Sequence, residues 1–405
     1  MLGVPAPATA ASLATIRVSV PAVGGAANGA SSHAVISRDG DVVAFDSTAT
    51  NLALRPDTNG VRDVFVRNLR TGATRRVSLS SGEHEANGPS QIVAISADGT
   101  RVLFDSRASN LVAGDTNGQR DVFVRNLTRG TTRQVDLGPG DVKPDPTFCC
   151  PSMGLDLSAN GRYVLFAGSA ANLAGGCCES FRIYLRDRAT GKTTTIARAD
   201  NFVAPVAARI SGGGRFIAYS IGGQSTGGDL PGPSFVLDRK THARTRIDVG
   251  VPSSSEGSVV ADMTAGGRFV LFAEYALSPN ARFFGIGVFL RDRRDGTTTR
   301  VDISGLPITR TTSTPVAVSG GGRFATFWSF SSRFVAGDAN GRADVFRRDL
   351  AHHTTIRMSL SAAGNELAKN SYGGSMSMRG AVVFWTGARA TPDDARHGKD
   401  VFLRG

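Results

Sequence analysis

Apolar positions in this chain fall in short runs separated by Gly-rich polar turns, and one arrangement of run and turn recurs seven times. A small hydroxyl residue precedes the turn and an aromatic follows eight positions later. The first four copies are Ser37 to Phe45 (ISRDGDVVAF), Ser96 to Phe104 (ISADGTRVLF), Ser158 to Phe166 (LSANGRYVLF) and Ser211 to Tyr219 (ISGGGRFIAY). Two more are Thr264 to Phe272 (MTAGGRFVLF) and Ser319 to Phe327 (VSGGGRFATF), and a seventh, Ser377 to Phe384 (MSMRGAVVF), is one residue shorter. Each reads as a β-hairpin, because Asp-Gly, Asn-Gly or Gly-Gly turns the chain between β-branched and aromatic residues. The seven aromatics are separated by 59, 62, 53, 53, 55 and 57 residues. A sustained period of that size marks a repeat architecture.

Two further strands complete each unit. A second aromatic lies 16 to 20 residues beyond the first, in DVFVRN at Asp63, DVFVRN at Asp121, RIYLRD at Arg182, SFVLD at Ser234, GVFLRD at Gly287, DVFRRD at Asp344 and DVFLRG at Asp400. A Thr- and Arg-rich stretch follows six of these, as in TTRQVDL from Thr131 and TTTRVDI from Thr297. Four strands per unit at this period describe an all-β fold, a seven-bladed β-propeller of four-stranded blades. The chain stops at Gly405, before a seventh fourth strand, whereas Ile16 to Val20 (IRVSV) resembles that missing strand. The spacing therefore predicts a ring closed by the N-terminal strand pairing with the last blade, which leaves no open sheet edge. Residues 16–405 are expected to form this one domain, as a monomer.

Composition narrows the picture further. With 49 glycines in 405 residues, no Gly-X-Y period and 40% hydrophobic residues, the chain is neither collagen-like nor globally disordered. The net charge of +12 is carried almost wholly by arginine, since five of the 46 basic residues are lysines. Arginines recur at equivalent places (Arg67, Arg125, Arg186, Arg291, Arg348, Arg404), which spreads them around the ring as solvated charge instead of concentrating them in a groove for nucleic acid. No apolar run is long enough to span a membrane. Met1 to Ile16 is uncharged, and Ala8-Thr9-Ala10 has the small-x-small form of a signal-peptidase site. Residues 1–15 are read as the remnant of a secretory signal or a disordered lead, and the protein as secreted or periplasmic.

Propeller loops alternate between faces, so the loop between the second and third strands shares a face with the segment entering the next blade. Two constellations fall there. One is D-x-N-G-x-x-D, present as Asp57, Asn59, Asp63; Asp115, Asn117, Asp121; and Asp338, Asn340, Asp344. Such a turn gathers carboxylate, amide and carbonyl oxygens of the kind calcium takes. It also serves as a plain Asn-Gly turn in which Asp accepts from turn amides, and Arg62, Arg120 and Arg342 lie inside the loops. The other constellation is Cys149-Cys150 with Cys177-Cys178, both assigned to the third blade. A cross-pair disulfide is expected in an exported protein, with a metal site or free thiols as alternatives.

The Ser-x-Asp-Gly turn, the following V-x-F strand, the aromatic strand ending in Asp and the T-G-x-T stretch resemble the repeats of the TolB-like, WD-repeat-like bacterial propellers. The resemblance runs over roughly residues 16–405 and implies the propeller fold in an exported protein. This chain departs from the family pattern in lacking the Pro before Asp-Gly, in having lost the turn Asp from five blades and in carrying no counterpart of TolB's separate N-terminal domain. Catalytic signatures are absent: there is no H-E-x-x-H, and no G-x-S-x-G elbow leading from a strand into a helix. The six histidines (His33, His84, His242, His352, His353, His397) read as solvated loop residues. Asn28 and Asn87, each nine residues before its turn Ser, are expected to brace loops near the channel mouth. The expected function is an exported, non-enzymatic scaffold recognising protein or glycan ligands on one loop face. The alternative is an enzyme such as a glycan lyase or hydrolase, which a cluster of His, Glu or Asp at the channel mouth would favour.

Overall fold

The computed structural model describes residues 13–55, 57–145, 151–170, 172–173, 181–198, 207–225, 228–252, 257–277, 283–303, 313–394 and 398–405. Seven antiparallel four-stranded sheets surround an axis, which is the seven-bladed propeller the repeat predicts. Blade 1 comprises Ser31–Ile36, Val42–Ser47, Asp63–Asn68 and Thr74–Arg76, and blade 2 comprises Ser90–Ile95, Arg101–Ser106, Asp121–Asn126 and Thr131–Gln134. The second strands of blades 6 and 7 are Phe324–Ser329 and Val382–Thr386. Thr15–Arg17 is the outer strand of blade 7, with Thr15 opposite Arg404 and Arg17 opposite Phe402. Val18 extends the pairing by donating its amide to the Val401 carbonyl at 2.7 Å.

The recurring residues have three structural duties. The turn hydroxyl is buried and accepts the amide five residues on, as Val42 donates to Ser37 at 3.0 Å and Tyr163 to Ser158 at 2.9 Å. The glycine after it takes positive φ in all seven turns, from +67° at Gly99 and Gly161 to +88° at Gly40, a conformation a Cβ disfavours. The two aromatics of each unit face one another with ring centroids 5.2 to 6.0 Å apart, forming the core of each blade.

Arginines hold the outer strands. Arg67, Arg125, Arg186, Arg291, Arg348 and Arg404 each donate to the threonine seven places on, or its ring equivalent, at 2.7 to 3.1 Å (Thr74, Thr132, Thr193, Thr298, Thr355 and Thr15). Four of the six are buried. The expectation that these charges are solvated is thus corrected: they are internal cross-links, possible because a guanidinium can serve a hydroxyl and backbone carbonyls together.

The two ends of the central channel differ. At the hairpin-turn end, Ala97, Ala159 and Gly212 donate their amides to Ala159, Gly212 and Ala265 of successive blades, which builds a backbone rim. At the other end, Ser90, Ser152 and Ser371 donate to the carbonyls of Arg62, Arg120 and Ala343 in the preceding blade. Each loop between second and third strands therefore lies beside the start of the next blade. That end carries the polar loops.

Candidate functional site

Because successive blades repeat one register, the residue after the second-strand aromatic occupies the same ring position throughout. It is Asp46, Asp105, Ala167, Ser220, Ala273, Trp328 and Trp385 in blades 1 to 7. Small residues fill one side, whereas adjacent blades 6, 7, 1 and 2 place two tryptophans beside two buried carboxylates. Both tryptophans of the chain are here.

The aromatic half is continuous. His33 lies 5.7 Å from Trp385, Trp385 6.3 Å from Tyr372, Tyr372 5.2 Å from Trp328, and Trp328 6.0 Å from Phe330, ring centroid to centroid. His33 and Trp385 line the central channel, a cavity of about 420 Å³, and Phe330 at the far end of the row is 46% exposed. Edge-to-face contacts at Trp328 fix these rings and leave faces for a ligand to stack on.

The polar half centres on His33. A bulge between Ser32 and Val35 gives His33 a φ of +49°, an uncommon conformation for a side-chain-bearing residue. Its Nδ1 is 2.9 Å from Asp46 Oδ2, and Ser32 Oγ donates to Asp46 Oδ1 at 2.9 Å. The buried carboxylate holds the proton on Nδ1, leaving Nε2 as the basic nitrogen. Arg62, half exposed, lies 3.5 Å from Asp46, and Arg120 4.0 Å from Asp105. Burial pushes the Asp105 carboxyl up to about 7, against the pull of the Gly154 amide and Arg120. The placement of His33 in a loop is corrected: it is a half-exposed strand residue backed by a buried acid. Alignment of the repeats at the ring position would have exposed Asp46, Trp328 and Trp385. His33 is hidden from such an alignment because its bulge shifts the register. Asn28 and Asn87 brace loops as expected, donating to Thr50 Oγ1 and Ser109 Oγ.

The D-x-N-G-x-x-D residues come together as three separate groups, one per blade. In blade 1 Asn59 donates to Asp63 at 3.0 Å, Ser78 donates to Asp63, and Arg76 stands 3.6 Å from Asp57 and 3.5 Å from Asp63 while pairing with Glu85. Blade 6 repeats this with Asn340, Asp344, Ser359, Asp338, Arg357 and Glu366. In blade 2 Asn117 donates to Asp121 at 3.0 Å, and Gln134 stands where those arginines do. Among the described residues no three His, Cys, Asp or Glu side chains are already gathered around one point. The expected disulfide among Cys149, Cys150, Cys177 and Cys178 lies outside the described residues.

No family model matches the chain, and no curated protein does. Solved structures do. The β-propeller domain of the Trilobed protease from Pyrococcus furiosus is similar at 12% identity and a TM-score of 0.56, over 93% of this chain and 94% of that one. Oligogalacturonate lyase from Vibrio parahaemolyticus is similar at 9% identity and a TM-score of 0.54, over 97% of each. TolB from Acinetobacter baumannii is similar at 12% identity and a TM-score of 0.44, over 82% of this chain, which spans 64% of that one. At these identities the likeness is one of fold, and function has to be argued from the site.

Proposed function

We propose that this protein is an exported, non-enzymatic propeller that recognises a glycan on its loop face, at the channel mouth formed by blades 6, 7, 1 and 2. The observation that carries the reading is the row Phe330, Trp328, Tyr372, Trp385 and His33 set beside Asp46 and Arg62, with Gln91 lining the channel next to them. A sugar ring offers an apolar C–H face and a rim of hydroxyls. A concave mouth with fixed aromatic faces on one side and charged donors and acceptors on the other complements both. A protein ligand would use the same anchors, with aromatic and arginine side chains at the centre of the contact. Screening the purified protein against glycans and then changing Trp328 and Trp385 singly to Ala tests the reading. At least a tenfold loss of affinity with little change in melting temperature is expected for one or both, and undiminished binding in both variants refutes it.

The His33–Asp46 pair favours a second reading, in which the same mouth carries out acid–base chemistry on a glycan, as a lyase or hydrolase would. Ser32 approaches Nδ1, the nitrogen already committed to Asp46, at 3.2 Å. The trio is therefore no nucleophilic triad, which needs serine on the opposite nitrogen. His33 would act as a lone general base or acid. Product formation from the glycan that binds, abolished by His33→Ala, would move the protein to this class.

A further inference from the structure

Blade 2 breaks a charge rule kept by five of its neighbours. Opposite the third-strand aromatic, the fourth strand carries Arg76, Arg246, Arg300 and Arg357 in blades 1, 4, 5 and 6, and Arg17 in blade 7. Each arginine faces a strand acid in one of two places, and in blades 1 and 6 two loop acids besides (Asp57 and Glu85, Asp338 and Glu366). In blades 1, 6 and 7 it is the third-strand Asp63, Asp344 or Asp400, which accepts from Ser78, Ser359 or Ser19. In blades 4 and 5 it is Asp248 or Asp302, two residues after the arginine and 2.7 or 3.0 Å from it. Blade 3 carries Arg182 at the third-strand place and Thr195 at the fourth-strand one. Blade 2 has both acids, Asp121 and Asp136, and Gln134 in place of arginine.

A third acid, Asp115, stands where Asp57 and Asp338 face Arg76 and Arg357. All four side chains are nine-tenths buried or more. Asp115 Oδ2, Asp121 Oδ2, Gln134 Oε1 and both oxygens of Asp136 make no hydrogen bond of normal geometry. The groups around them are few. Gln134 Nε2 and Asn117 Nδ2 donate to Asp121 Oδ1 at 2.8 and 3.0 Å, the Asn117 amide faces Asp115, the Ser152 hydroxyl and Val122 amide lie near Asp136, whose carboxyl faces that of Asp121, and Lys143 donates to the Ala113 carbonyl at 2.8 Å. Uncompensated carboxylates cannot stay buried and charged together.

We propose that a calcium ion held by Asp121, Asp136 and the Gln134 carbonyl oxygen, with Asp115 closing over it, supplies in blade 2 the positive charge that arginine supplies elsewhere. The donors are all oxygen, which selects a hard cation, and calcium tolerates the irregular geometry and accepts waters in its remaining positions. Since three carboxylates are not yet gathered at one point, Asp115 moves inward on binding. The site is independent of the channel mouth. The assignment also reduces three sequence-equivalent loops to one, because in blades 1 and 6 a guanidinium already occupies the place of the ion.

Calorimetric titration of the chelator-treated, full-length protein with calcium tests it. One ion per chain and a higher melting temperature in 5 mM calcium than in chelator are expected. Gln134→Arg with Asp136→Ser, which rebuilds the blade 1 pattern, should remove both effects. Asp115→Asn alone should weaken binding at least tenfold and serves if the double variant does not fold. Binding of no ion, binding of three, or full binding by the variants overturns the proposal.

Discussion

At the scale of single residues, this fold uses arginine as an internal strut, and the arrangement in blade 1 shows what each strut neutralises. Arg76 is 5% exposed and stands among Asp57, Asp63 and Glu85. Removing one partner of a buried ionic group leaves uncompensated charge and costs about 3 kcal/mol or more. Arg76→Gln copies the blade 2 residue into blade 1 and is expected to lower unfolding stability by about that much, measured by denaturant titration. A loss within about 0.5 kcal/mol would mean that the three acids are solvated, as surface substitutions ordinarily are. The sequence displayed the other arginine set, Arg67 and its equivalents, as a repeat without revealing its burial. A periodic charge has the same spelling whether it points to water or to the next strand's threonine.

At the scale of strands and blades, the repeat was legible almost completely. The serine, the turn glycine and the two aromatics each have one physical duty, so each recurs at fixed spacing. The closing strand could be read from Ile16 to Val20 because Arg17, Val18 and Ser19 copy Arg76, Val77 and Ser78. Closure rests on the buried Val18 and on the Ser19 hydroxyl, which donates to Asp400 at 2.5 Å. Burying a valine side chain is worth about 2 kcal/mol, and a hydrogen bond to a charged group about 2 more. Deleting residues 13–20 should therefore cost roughly 4 kcal/mol at least and lower the melting temperature of the whole ring. An unchanged melting temperature would show that blade 7 stands without its outer strand. The channel mouth was less legible, because it departs from the repeat. His33 sits on a bulge, and Asp46, Trp328 and Trp385 matter only because three different blades bring them to one rim.

At the scale of the whole molecule, buried carboxylates set the response to pH. Burial holds Asp105 at about 7 and Asp262 and Asp400 at about 6, above the ordinary carboxylate range. The folded chain therefore binds more protons than the unfolded one between roughly pH 4 and 7, and stability falls as pH rises through that window. Asp187 and Asp292 work the other way, held down at about 2 by Arg162 and Arg268, and their stabilisation is lost as pH drops below about 4. Melting temperature is expected to peak near pH 4 to 5, and Asp262→Asn should flatten its decline toward pH 7. A steady rise from pH 4 to 7 would contradict this assignment.

The claim that ties the molecule together is that the rim of blades 6, 7, 1 and 2 is where a ligand binds, and the chain carries its own reporter of it. Its two tryptophans both lie in that rim. Intrinsic tryptophan fluorescence, followed while a glycan identified by screening is titrated in, should shift and saturate at one ligand per chain. Trp385→Phe should diminish the signal and Trp385→Ala the affinity. A glycan that binds by calorimetry while tryptophan emission stays unchanged would place the binding surface elsewhere and contradict the account.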